Sequence, residues 1–163
     1  MQTKLQRAGT GIEQVKSYNM KNSQAIKLFI VDDDAVFLKS LEIEFRSETD
    51  YLIETYATGE LCLANLSHQP DVVILDYHLD GVDPSAMNGI ATLDKIKQIN
   101  PQIPVIILSS QDKIDVAVRC MRHKAFDYVV KSETAFFRIK KTIHVILKQQ
   151  RLEKELNWYM ERM

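Results

Sequence analysis

Four apolar runs in this 163-residue chain each stop on a residue that can do chemistry. Leu28-Phe29-Ile30-Val31 runs into Asp32-Asp33-Asp34, and Val72-Val73-Ile74-Leu75 runs into Asp76. Val105-Ile106-Ile107-Leu108 runs into Ser109-Ser110, and Tyr128-Val129-Val130 runs into Lys131. If the runs are parallel strands of one sheet, these groups share one edge. Carboxylates crowded there repel one another unless a cation is present. Oxygen donors without histidine nitrogen or thiolate favour Mg²⁺ over zinc. Asp33 and Asp76 are the expected direct ligands, with Asp32 acting through water and the backbone carbonyl of His78 as a further oxygen. A carboxylate can also be a nucleophile and form an aspartyl-phosphate. Asp76 is the candidate, because it ends the most apolar strand. Lys131 and Ser109 would then share with Mg²⁺ the charge on the phosphoryl oxygens.

Each residue alone has a plainer reading. Asp after a strand is ordinarily a turn residue, a lone lysine there is a solvated strand end, and Asp34 is a helix N-cap. The conjunction of complementary groups at four strand ends favours a phosphoryl site.

The elements that must bring these groups together follow from periodicity. Lys27 to Val31 reads as a strand, then Phe37, Leu38, Leu41 and Phe45 repeat at helical spacing. Tyr51 to Ala57 alternates as an edge strand does. Thr58 is an expected N-cap for a helix bearing Leu61, Leu63 and Leu66. Asp71 to Leu75 and Ile103 to Leu108 are apolar enough for strands buried on both faces. Ile90, Leu93, Ile96 and Ile99 mark a helix between them, closed by Pro101 and Pro104. Asp112 is expected to cap a helix bearing Ile114, Val118 and Met121. Ala125 to Val130 is the last strand, and helical text runs from about Glu133 to Met163. Five successive β-α units predict a doubly wound α/β fold with a five-stranded parallel sheet and helices on both faces. Ligands of such sheets bind at the carboxyl ends of the strands, where the polar residues fall.

Composition sets bounds. Hydrophobic content is 45%, charged content 26% and net charge −1, ordinary for a globular domain. No global basic field points to direct nucleic-acid contact. No apolar run is long enough to span a bilayer, and the N-terminus lacks a signal-peptide core. Two cysteines, Cys62 and Cys120, make no disulfide framework, so a cytoplasmic location is expected.

The quoted segments resemble response-regulator receiver domains of two-component signalling. Phe29-Ile30-Val31-Asp32-Asp33-Asp34 is similar to their opening segment, and Asp71 to Asp76 to the segment ending in their phosphoacceptor. Pro104-Val105-Ile106-Ile107-Leu108-Ser109-Ser110 and Tyr128-Val129-Val130-Lys131 resemble two further motifs, all in family order over about residues 27 to 147. The resemblance implies a flavodoxin-like strand order 2-1-3-4-5 in three α/β/α layers. It implies that Asp76 accepts a phosphoryl group from a histidine kinase or phosphotransfer protein, and that Asp32 and Asp33 hold Mg²⁺ (Mn²⁺ could substitute). Ser109 would be the switch hydroxyl, Tyr128 the switch aromatic and Lys131 the phosphate-contacting lysine. Such a domain is a phosphoacceptor rather than a turnover enzyme.

The chain departs from the family pattern in places. Ser132 follows Lys131 where the family has a cis-forming proline, and a cis bond there would cost roughly 3 kcal/mol. Asp80 replaces a frequent proline, and Gly81 to Ala86 look like an insertion before Met87-Asn88-Gly89. Lys124 stands where glycine is frequent, and Ser110 where alanine is.

Three parts are expected: a flexible N-terminal extension over 1–25, a receiver domain over 26–147 and a helical extension over 148–163. In the last part Val145, Gln149, Leu152, Leu156, Tyr159 and Met163 repeat at spacings of four and three, a short coiled-coil-like seam. It would serve a homodimer or a linker to an output domain. Two rival functions compete. A haloacid-dehalogenase-like phosphatase would use Asp32 as nucleophile and Asp34 as acid, and an inert interaction module would use the same fold without phosphorylation.

Overall fold

A computed structural model describes residues 25–163; of the expected N-terminal extension, residues 1–24 lie outside the described residues. Five strands form one parallel sheet: β1 (Lys27–Val31), β2 (Leu52–Tyr56), β3 (Val72–Asp76), β4 (Val105–Ser109) and β5 (Asp127–Val130). Their order is β2-β1-β3-β4-β5, as the resemblance implied. The central strands β3 and β4 are buried at every position.

Alternate residues of these strands feed two cores, as a period of two demands. Leu28, Ile30, Ile74, Ile106 and Leu108 point to one face. There they meet Leu41 and Phe45 of α1 (Ala35–Glu48) and Phe136, Ile139, Ile143 and Ile146 of α5 (Ala135–Arg162). Phe29, Val31, Val73, Leu75 and Ile107 point to the other face. Cys62 of α2 (Gly59–Ala64), Leu93 and Ile96 of α3 (Gly89–Ile99) and Cys120 of α4 (Ile114–Arg122) cover that side. The layers are therefore α/β/α. Both cysteines are buried free thiols, with burial pushing Cys62 up to about 12.

The caps follow sequence chemistry in part. Asp34 accepts from the amides of Val36 and Phe37, and Thr58 accepts from Leu61. The expected Asp112 cap is corrected: Lys113 is the cap residue of α4, with no side-chain cap bond. The apolar side assigned to α4 is corrected as well. Ile114, Val118 and Met121 are exposed, and Cys120, with Val116 packed nearby, faces the sheet. Leu61 is exposed too, and Leu66 lies in a separate 3-10 turn (Leu66–His68) beyond α2. Periodicity finds a stripe but not which neighbour it meets.

Lys124 has φ 70°, the left-handed conformation for which glycine is favoured. No peptide bond among the described residues is cis, so Lys131–Ser132 is trans. The 28 residues of α5 extend about 42 Å at 1.5 Å per residue. Its last buried residue is Ile146, and Leu152, Leu156 and Tyr159 are at least half exposed beyond it. No described helix is long and apolar enough to cross a membrane.

Candidate phosphoryl and cation site

The strand ladder delivers the site residues to one edge. β1 ends at Val31, paired with Leu75 one residue before Asp76. The Lys131 amide extends the β4–β5 ladder, donating to the Ser109 carbonyl at 2.7 Å. Gly89 lets α3 begin beside this edge, since a Cβ on it would lie 2.5 Å from the Asp76 carbonyl oxygen.

Asp32, Asp33 and Asp76 come together, each offering a carboxylate oxygen within 4.8 Å of the others. Asp32 and Asp76 are buried, and Asp33 is partly exposed. Lys131 enters between the two buried acids, its Nζ 2.8 Å from Asp32 Oδ2 and 3.3 Å from Asp76 Oδ1. The same ammonium lies 4.5 Å from the centroid of the Phe37 ring, an additional cation–π contact.

One ammonium does not neutralise three carboxylates. Burial first, and then the Asp32 charge, push the Asp76 carboxyl up to about 7, against the pull of Lys131. Burial works against the Lys131 charge, but its bonds to Asp32 and Asp76 outweigh that and raise its pKa. Asp32 Oδ1 accepts the Asp34 amide at 2.9 Å. The buried Oδ2 has Lys131 as an ionic neighbour but no hydrogen bond of good direction. An all-oxygen set with an under-satisfied buried carboxylate oxygen fits a hard divalent cation. Asp32, Asp33 and Asp76 would hold such a cation, which would supply positive charge against the clustered carboxylates.

An open cleft of about 510 Å³ leads to these groups, lined by Asp33, Asp34, Asp76, His78, Gly81, Val82, Ser110 and Lys131 among others. His78 is at the cleft, where its amide donates to Asp76 Oδ1 at 3.4 Å. Its ring Nε2 lies 3.1 Å from Gln111 Nε2. Ser109 is fully buried, and its hydroxyl accepts the Gln111 amide at 3.1 Å. The Tyr128 hydroxyl donates to the Gln111 carbonyl. Ser109 and Tyr128 are thus tied to one loop through Gln111, a residue that sequence reasoning did not single out. Phe37, read from the sequence only as part of a helical repeat, was missed as a neighbour of Lys131. Val82 was missed as a partner of Asp33, to whose Oδ2 its amide donates at 3.0 Å; the insertion was the one signal for it. Asp34, by contrast, serves the α1 cap.

A family model for the response regulator receiver domain matches residues 28–144. The chain is 35% identical over 105 residues to the DNA-binding transcriptional regulator NtrC of Salmonella typhimurium, covering 64% of this chain and 21% of that protein. Among solved structures, the signal receiver domain of a putative Luxo repressor protein from Vibrio parahaemolyticus aligns with a TM-score of 0.70 at 25% identity, covering 82% of this chain and 98% of that one. NtrX from Brucella abortus aligns with a TM-score of 0.73 at 27% identity, covering 86% of this chain and 31% of that one. The chain spans about a fifth to a quarter of the length of the curated relatives it matches.

Proposed function

Because the chain belongs to the response regulator receiver domain family, a family of signalling domains, we propose that Asp76 is its phosphoacceptor. The donor is a histidine kinase or a histidine phosphotransfer protein. An Asp76 carboxylate oxygen attacks phosphorus, an O–P bond forms, and the P–N bond of the donor phosphohistidine breaks with its electron pair leaving on the imidazole. Hydrolysis later returns the carboxylate and releases inorganic phosphate. The observation that carries this reading is the Lys131 ammonium shared between Asp32 and Asp76 at 2.8 and 3.3 Å. That arrangement sets a cation against the acid that would carry the phosphoryl group.

Mg²⁺, or Mn²⁺ in its place, would be held by Asp33 and Asp76 directly, by Asp32 through water and by the His78 carbonyl. It would supply charge neutralisation at the phosphoryl oxygens. Lys131 contacts the phosphoryl group, and Ser109 is the hydroxyl drawn to it. Tyr128 follows, because its hydroxyl and the Ser109 hydroxyl share Gln111 as a partner. The result is a switched binding surface. The curated relatives are transcriptional regulators, so a longer chain carrying this domain would direct transcription, with nucleic acid read outside residues 26–147. The domain would work in the cytoplasm and dimerise or connect onward through residues 148–163.

The phosphatase reading needs Asp34 as an acid beside Asp32. Asp34 instead spends one carboxylate oxygen on two α1 amides, and the reading leaves Asp76 without a task. Acetyl phosphate labelling with Mg²⁺ discriminates the readings. We expect a hydroxylamine-sensitive acyl phosphate on the wild-type protein that is absent in Asp76→Asn. Loss of label in Asp32→Asn alone would support the phosphatase. No label on the wild type, and no saturable fluorescence response to beryllofluoride with Mg²⁺, would support the inert module.

A further inference from the structure

The β3–α3 loop, residues 77–88, carries the insertion across the cleft. Its two ends are held: Leu79 is buried, and the Met87 amide donates to Glu60 Oε1 of α2 at 2.6 Å. Between them the chain makes a compact turn, in which Asp83 Oδ1 accepts from the amide and hydroxyl of Ser85 at 2.9 and 2.7 Å. From this middle stretch the Val82 amide reaches the acidic cluster, donating to Asp33 Oδ2. The Val82 side chain itself is 75% exposed, so what the loop brings to the site at this residue is a backbone donor.

We propose that the loop is a strap whose Val82 N–H positions the Asp33 carboxylate for a divalent cation. Asp33 is the partly exposed member of the acid set, and among the described residues no lysine is ion-paired with it. Asp32 and Asp76 are held by burial and by Lys131. A hydrogen bond to Oδ2 leaves Oδ1 of Asp33 as the oxygen free to turn toward Asp76. Partners of this kind, which orient a ligating carboxylate, typically change metal affinity 10- to 100-fold when lost. Holding Asp33 in place before the cation arrives lowers the ordering cost of binding. The inference rests on the cation-site reading above.

The test is Mn²⁺ binding to the full chain, followed by the loss of the free-ion EPR signal, so no phosphoryl chemistry enters the readout. Val82→Pro removes the N–H, and Val82→Ala keeps it while trimming an exposed side chain. We expect about tenfold weaker Mn²⁺ binding for Val82→Pro and wild-type binding for Val82→Ala. Glu60→Ala, which frees the far end of the strap without touching the acids, should weaken binding in the same direction, with Glu60→Gln restoring it. That pair decides the matter if Val82→Pro fails to fold. Amide exchange at Val82 supplies a second readout: it should speed up in Asp33→Ala and stay slow in Asp33→Asn, which keeps an acceptor. Wild-type uptake that is indifferent to Val82→Pro and to Glu60→Ala overturns the strap alone. A wild-type protein that takes up no Mn²⁺ overturns the cation site and the strap with it.

Discussion

The Lys131 ammonium stands 2.8 Å from Asp32 Oδ2, closer than its 3.3 Å approach to Asp76 Oδ1. The lysine is therefore anchored on the acid that would not be phosphorylated and reaches from there to the one that would. That anchor does not involve Asp76, so an ammonium held there would stay to meet new oxygens if Asp76 were modified.

Removing that lysine leaves buried carboxylates uncompensated. Breaking a fully buried pair costs roughly 3–5 kcal/mol, and the Lys131 side chain retains 17% exposure. Lys131→Ala should lose about 2–3 kcal/mol in metal-free urea unfolding and much less with saturating Mg²⁺, which replaces the missing charge. An equal loss in both conditions would argue against a shared electrostatic site.

Asp76 makes metal-free stability depend on pH. Its carboxyl is pushed up to about 7, first by burial and then by Asp32, from an unfolded value near 4. A raised carboxyl pKa contributes stability that is complete below about pH 4 and is lost as pH rises through about 7. In EDTA the protein should weaken across that window by about 3–4 kcal/mol. Asp76→Asn, which cannot ionise, should lack this loss and be the more stable form at pH 8. A flat wild-type profile in denaturant titrations at pH 5 and pH 8 would contradict this.

At Lys124 the backbone pays for a left-handed φ of 70°. That conformation costs an L-residue about 1–2 kcal/mol, while glycine gives part of the gain back through chain entropy. Lys124 is exposed, and its amide bond to the Met121 carbonyl needs no side chain. Lys124→Gly should therefore raise the melting temperature by about 2–4 °C. A lower melting temperature would show that the lysine side chain holds the turn.

The helix beyond Ile146 carries Leu152, Leu156 and Tyr159 as an exposed row. In a parallel pairing along this seam, Lys148 lies five residues before Glu153 of the opposing helix, a complementary flanking pair. Light scattering should find a concentration-dependent dimer for the wild type and a monomer for Leu152→Asp/Leu156→Asp. The variant should keep its thermal stability, because neither leucine is buried in the domain. A wild-type monomer at all concentrations would leave the linker role.

The strands and their ends were legible because burial on both faces forces long apolar runs, and a run that stops on Asp76 or Lys131 marks where the sheet meets solvent. The Asp34 and Thr58 caps were legible because capping is a local bond over two or three residues. The solvent side of α4 was not. Ile114, Val118 and Met121 repeat at helical spacing, yet the sheet takes Cys120 instead. A helix can present either side of its surface, and the neighbours decide which.

The sequence by itself determined the β-α alternation, the edge at which the acids, the hydroxyl and the lysine gather, and, through motif order, the family. These follow from periodicity and from the polarity of strand ends, both written in consecutive residues. Only the tertiary structure decided how the edge is wired: Lys131 between Asp32 and Asp76, Gln111 joining Ser109 to Tyr128, and Val82 on Asp33, 49 residues away. Apart from the Gln111 amide on the Ser109 hydroxyl, those contacts join groups distant in sequence, among them a backbone amide, a backbone carbonyl and charged tips. A backbone amide carries no residue-specific signature, so its partner appears only when the chain is folded.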